Sequence, residues 1–235
     1  MIDVNCDVGE GVNNEQLLMP YISSCNIACG GHAGDHETMT NVVSLAIKHN
    51  VKIGAHPSYP DRENFGRKSM VISDKDLAIT IVKQIKTLEK VVSISDGQLH
   101  HIKPHGALYN DIAKNTAFAN VFLDAIASYR DTCALYVPFT SEIAHEALKR
   151  NFKVVYEAFA DRNYNDDHSL VARNVDNAVI TDIHQIIEHV SLMKDKGKVR
   201  TITGRQLAIK ASTFCVHSDT DNAIEMVKAI HDRFL

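Results

Sequence analysis

Short apolar runs alternate along most of the chain with longer stretches in which apolar residues recur at helical spacing, the signature of repeated βα units and a mostly parallel sheet. About seven such units can be marked. The strand candidates are residues 2–6, 24–28, 52–55, 101–103, 134–137, 153–156 and 213–216. The clearest helix opens at Asp74-Lys75-Asp76-Leu77, with apolar positions at Leu77, Ile81, Ile85, Leu88 and Val92 and with Ser73 placed to cap it. Similar patterns predict helices over 38–49, 113–129, 141–149, 183–194 and 221–234. Residues 198–210 alternate around Gly204 and read as a small antiparallel excursion that decorates the repeat.

Composition narrows the class without changing that picture. The 235 residues are 45% apolar and 23% charged, an ordinary globular balance, and no proline- or serine-rich linker marks a boundary, so the expectation is one domain over 1–235. A net charge of -4 with scattered Lys and Arg gives no footprint for nucleic acid or an anionic membrane surface and favours a small-molecule substrate. The first residues lack a basic segment followed by an apolar stretch, and no run approaches a membrane span. Five cysteines (Cys6, Cys25, Cys29, Cys133, Cys215), an odd number each set in or beside an apolar segment, read as reduced thiols of a cytoplasmic protein.

Thirteen histidines are the unusual feature, and their placement carries the functional reading. Nearly every strand candidate is followed closely by a titratable side chain: Asp7 after the first, His32 and Asp35 after the second, His56 after the third, His105 after the fourth. Glu157 and Asp161 follow the sixth, and His217 and Asp219 the seventh. In parallel α/β folds the carboxyl ends of the strands share one face, so these groups should converge. Each alone has a plainer reading, and Asp35 could simply cap the next helix. Together they would be too many buried polar groups to keep without a task.

The loops differ in what they offer. Residues 26–35 pack Gly30, Gly31 and Gly34 around His32, as suits amides turned towards an anion or oxyanion. His56 and Arg67, in and after the loop 54–61, could grip a carboxylate, or the prolines could merely stiffen a surface turn. Lys103 stands at a strand end where partial burial would lower its pKa, with His105 and Tyr109 next in line; the plainer alternative is a lysine reaching out to solvent. Asp161-Arg162 could be only a structural ion pair, which leaves Glu157 the sharper candidate. No G-x-x-x-x-G-K-[ST] segment is present, so the chain has no P-loop of its own for ATP. Zinc on Cys25, Cys29 and His32 is disfavoured, because no second cysteine pair exists and Cys25 is expected to face the barrel core. A different divalent ion, held by Asp7, His32, His56 and His105, stays open.

At these residues the chain resembles the LamB/YcsF family, whose members are also called 5-oxoprolinase A subunits. The resemblance runs through residues 3–10, 26–35, 54–61 with Phe65-Gly66-Arg67, then 103–110, 159–162 and 215–217, in the same order along nearly the whole chain. It implies a seven-stranded (β/α) barrel of the glycoside hydrolase/deacetylase type. It also implies a role, with partner subunits B and C, in opening 5-oxo-L-proline to L-glutamate at the expense of ATP, which those partners could help to bind. Under that reading Asp7 or Glu157 activates water, and His32, His56 and His105 donate protons or stabilise an oxyanion. Lys103 and Arg67 bind phosphate or the substrate carboxylate, with Asn5, Asn26, Gly30, Tyr109, Asp161, Arg162, His217 and Asp219 completing the binding set. A homo-oligomer is compatible with it. Gly31 stands where the family pattern leads one to expect phenylalanine, and Ser58, Ser169 and Ser218 where it leads one to expect glycine; Ser218 is expected to narrow the approach of a substrate or phosphate. Two readings from other classes remain, a metal-dependent deacetylase or carbohydrate hydrolase and a non-catalytic scaffold within a complex.

Overall fold

The structure is a computed structural model that describes residues 2–235. Seven parallel strands close into a barrel in the order β1 (Asp3–Val8), β2 (Ser24–Ala28), β3 (Lys52–His56), β4 (Leu99–Ile102), β5 (Ala134–Pro138), β6 (Lys153–Phe159) and β9 (Thr213–His217), with β9 pairing to both β6 and β1. The seven βα units and parallel sheet read from the pattern, and the seven-stranded barrel implied by the family resemblance, are the fold observed. Residues 198–210 form the expected excursion, an antiparallel pair of β7 (Lys198–Arg200) and β8 (Gln206–Ala208).

Helices α1 (Glu15–Leu18), α2 (His36–Lys48), α3 (Asp74–Ile94), α4 (Gly106–Lys114), α5 (Thr116–Ala125), α6 (Glu142–Lys149), α7 (Ile183–Lys196) and α8 (Ala223–Phe234) accompany the strands. The α3 stripe Leu77, Ile81, Ile85, Leu88 and Val92 is buried as its spacing requires, and Ser73 Oγ accepts the Asp76 amide at 3.1 Å. The helix expected over 113–129 begins only at the end of α4, most of which lies in the stretch read as the fourth loop, and continues as α5 and a 3-10 turn at Ala127–Tyr129. Asn115 breaks it, because its extended backbone lets its side chain cap α5 by accepting the Ala117 and Phe118 amides. Helix α1 and the 3-10 turn after it, Met19–Tyr21, are too short for periodicity to show them. Among the described residues no helix is long and apolar enough to cross a membrane.

Side chains on each strand alternate between the outer face, against the helices, and the barrel interior. On β1, Val4, Cys6 and Val8 are buried outward, while Asp3, Asn5 and Asp7 point in. Cys25, neighbour of inward Asn26, therefore packs between sheet and helices rather than into the barrel, contrary to expectation. The interior is polar where barrels of this general kind are filled by branched apolar side chains. Asp3 Oδ1 accepts from Ser24 and Thr213, each at 2.7 Å; Asn5 donates to Thr213 at 2.7 Å and accepts from Asn26 at 2.7 Å; Asn26 accepts from His101 Nε2 at 2.8 Å. Pairing leaves one extra residue on β4, with Ile53 opposite Leu99 and Gly54 opposite His101. That bulge turns His101 inward, where it stacks on Tyr136 at 4.0 Å. Gly54 makes the room, since a Cβ there would lie 2.1 Å from His101 Nε2.

Candidate active site

At the carboxyl ends of the strands the polar interior opens into a cavity of about 410 Å³. Asp7, Glu10, His56, Lys103, His105 and Tyr109 line it from β1, β3 and the β4–α4 connection; Phe159, Arg162, Arg173 and His217 line it from the β6 and β9 side, and Arg67 and Lys114 stand at its edge. The convergence expected of Asp7, His56, Lys103, His105 and His217 is what the fold delivers, because each follows or ends a strand of one closed parallel sheet. A concavity of about 580 Å³ beside α7 carries none of these strand-end groups.

Lys103 is the hub. Its ammonium lies 2.8 Å from Asp7 Oδ1 and 2.9 Å from Glu157 Oε1, the latter an ion-pair contact outside hydrogen-bond geometry, and 3.1 Å from Cys215 Sγ. Burial opposes the charged form, but Asp7, Cys215 and Glu157 outweigh it and hold the pKa well above the ordinary lysine range. The lowered pKa expected for Lys103 is thus reversed: two carboxylates around one ammonium make it a permanent cation. Asp7 is held well below the usual carboxylate range, burial being overcome by His56 and Lys103. Glu157 accepts from Tyr109 Oη at 2.8 Å and sits behind Lys103, away from the main cavity. It is a counter-ion there, so of the two expected bases only Asp7 faces the cavity.

His56, His32 and His105 gather around Glu10. His32 Nε2, His105 Nδ1 and His56 Nε2 lie 2.7, 3.3 and 3.8 Å from Glu10 Oε1, and His32 stacks on His105 at 3.6 Å. Burial holds His32 down to about 4 and His105 below the ordinary range, whereas Asp7 outweighs the burial of His56 and raises it. Sequence reasoning gives Glu10 no role. Its signal is nonetheless present, an acid three residues beyond Asp7 in a glycine turn after a strand. The potential metal-ligand group is accordingly Glu10, His32, His56 and His105, with Glu10 in the place expected of Asp7; Asp7 groups with Cys215 and His217 instead. Neither cysteine of the disfavoured zinc set joins a cluster among the described residues; Cys29 Sγ instead bonds to the Ile27 carbonyl and accepts the His56 amide.

Several residues expected to bind substrate have other work. Asn5 and Asn26 are fully buried below the cavity and brace the barrel interior and Asp7. Gly30 donates its amide to the Ala33 carbonyl at 2.8 Å, so it offers no anion hole. Asp161 and Arg162 do not pair with one another. Arg162 donates to the carbonyls of Val171 and Ala178, while Asp161 accepts from the amide and Nδ1 of His217, both at 3.0 Å, and from Thr220 at 2.7 Å. This orients His217, whose ring faces the cavity. Arg67 binds Asp219 at 2.6 Å, and Arg173 approaches the same carboxylate at 3.6 Å, which ties down the cavity edge. Asp35 is the exposed cap of α2.

The departures from the family pattern also find places. A Cβ at Gly31 would lie 2.4 Å from Ser58 Oγ and 2.3 Å from Gln84 Oε1, while Gln84 bonds to the Ser58 backbone at both its amide and its carbonyl. Gly31 and Ser58 therefore share one space, which a side chain at 31 would take from the hydroxyl at 58 and the amide of Gln84. Ser218 is buried off the cavity wall and does not narrow it, and Ser169 bonds to Asp167 within its own loop.

The LamB/YcsF family model matches residues 2–235. The 5-oxoprolinase A subunit of Bacillus cereus (strain B4264) is 39% identical over 239 aligned positions, covering 99% of this chain and 94% of the relative. The crystal structure of a lactam utilization protein from Thermus thermophilus superposes with a TM-score of 0.91 at 32% identity, covering 98% of this chain and 94% of that one. A putative cellobiose-phosphate cleavage protein from Enterococcus faecalis V583, at 11% identity and a TM-score of 0.57 over 98% and 94% of the two chains, shares the fold alone.

Proposed function

This chain belongs to the LamB/YcsF family, and from that membership we propose that it is the lactam-handling component of a 5-oxoprolinase, opening 5-oxo-L-proline to L-glutamate together with partner subunits B and C. The observation that carries the reading is the division of the cavity: carboxylates, histidines and a fixed ammonium at its floor, arginines and a lysine towards its mouth. A small lactam bearing a carboxylate suits that division, with its anion towards Arg173, whose contact with Asp219 is the looser one, and its ring amide towards Lys103 and the histidines.

Opening the ring requires water to attack the carbonyl carbon, negative charge on the carbonyl oxygen to be stabilised, and the ring nitrogen to leave with a proton. His217, held by Asp161, is the group built to take the proton from water, in the manner of an imidazole oriented by a buried carboxylate. Lys103 supplies a cation that costs no reorganisation, because Asp7 and Glu157 fix it before substrate arrives. ATP, when used, would place a phosphoryl group on the amide oxygen and so make the carbonyl carbon more electrophilic. Water would then open the ring with the nitrogen leaving, a second water would release phosphate from the resulting acyl phosphate, and the cationic mouth fits that anion.

The deciding experiment is co-expression with partner subunits B and C and measurement of 5-oxoproline-dependent ATP hydrolysis. The complex should turn over, and His217→Ala should retain assembly while losing about 10²- to 10⁴-fold in kcat, the ordinary range for a lost general base. An assembled complex without 5-oxoproline-dependent turnover overturns the reading. A His217→Ala complex of undiminished activity would instead favour a scaffold role for this chain.

A further inference from the structure

We propose that Glu10, His32, His56 and His105 form a binding site for one zinc-type divalent ion on the wall of the cavity. Their donor atoms all lie within 4.8 Å of one another. A tetrahedral site with bonds of about 2.0–2.2 Å places neighbouring donors roughly 3.3–3.5 Å apart. The separations of 2.7, 3.0, 3.3 and 3.8 Å among these atoms bracket that edge, so small side-chain adjustments suffice.

The hydrogen-bond partners argue more strongly than the distances. His56 Nδ1 lies 2.7 Å from the Lys103 carbonyl and His105 Nε2 lies 2.9 Å from the Phe65 carbonyl. A carbonyl only accepts, so in each neutral ring that nitrogen carries the hydrogen and the other presents a lone pair. Those two lone pairs, His56 Nε2 and His105 Nδ1, then face one another at 3.0 Å, with the Glu10 carboxylate beside them. Lone pairs and an anion gathered in a buried space call for a positive centre among them, a proton on one imidazole or a metal ion that all four donors reach at once. Backbone carbonyls that fix the distal nitrogens are also the usual outer support of metal-bound imidazoles. His32 presents Nε2 to the same space, 2.7 Å from Glu10 Oε1. Three imidazoles and one carboxylate suit zinc or a neighbouring first-row ion rather than calcium or magnesium, which prefer oxygen.

This site stands on the cluster's geometry and holds whichever substrate the cavity takes. Tag-free protein, stripped with chelator, should bind one equivalent of Zn²⁺ per chain by calorimetry and elemental analysis. Co²⁺ should give the intense visible bands of a four-coordinate site. Glu10→Gln and His105→Ala should each weaken Zn²⁺ binding at least about 100-fold, since even outer-shell losses cost 10- to 100-fold. Cys215→Ser, which disrupts the separate group of Asp7, Cys215 and His217, should leave stoichiometry and spectrum intact. Sub-stoichiometric binding by the stripped wild type, or loss of the ion in Cys215→Ser but not in Glu10→Gln, overturns the assignment. The wild-type titration decides alone if the cluster variants do not fold.

Discussion

Lys103 shows how a single residue's character depends on what the barrel sets around it. Along the chain it is a lysine at a strand end; in the fold it is a buried ammonium between Asp7 and Glu157. Lys103→Met therefore removes the ammonium that both carboxylates share and leaves two buried carboxylates facing each other. Breaking a buried pair in this way costs on the order of 3–5 kcal/mol, so urea unfolding of the variant should show a midpoint lowered by that loss divided by the slope, at unchanged slope. A midpoint like that of the wild type would mean that water already solvates these carboxylates. His217 belongs to the same scale: its value lies in one oriented nitrogen, and the orientation comes from Asp161 rather than from the residues beside it in sequence.

Elements carry the next layer of constraint, most sharply where β3 meets β4. The bulge that turns His101 inward works only because Gly54 has no side chain. Gly54→Ala should accordingly destabilise the fold, and His101→Ala added to it should recover part of the loss by freeing the same space. A double-mutant cycle on thermal or denaturant unfolding should give a coupling of about 0.5–3 kcal/mol, the range for residues in contact; simple additivity would show that the strands shift apart instead. Asn115 and Ser73 act at this scale too, one ending and restarting a helix, the other starting one. Both are capping residues by type, yet only Ser73 could be assigned from the pattern, because only two residues of the stretch read as helix precede Asn115, too few to show a boundary.

For the molecule as a whole, buried neutral histidines couple stability to pH. His189 on α7 is pushed down to about 4 by burial, against backbone hydrogen bonds that favour its charged form. Below pH 6.5 the unfolded chain takes up a proton there that the native chain refuses, so the stabilising contribution is complete above 6.5 and is lost as pH falls towards 4, by ~3 kcal/mol at most. His189→Gln should flatten the stability–pH curve between those values by up to one proton; an unchanged curve would place the acid sensitivity elsewhere. The chain by itself determined the repeated βα units, the parallel sheet and the identity of most groups at its strand ends, since the apolar period sets strand and helix and a parallel sheet sends every strand's carboxyl end to one side. Only the tertiary structure decided that Asn5 and Asn26 support rather than bind, that Glu10 replaces Asp7 among the histidines, and that Lys103 stays charged. Those outcomes depend on separations of about 3 Å between side chains from different strands, and neither burial nor Coulomb interaction across the barrel is written in the order of residues along it.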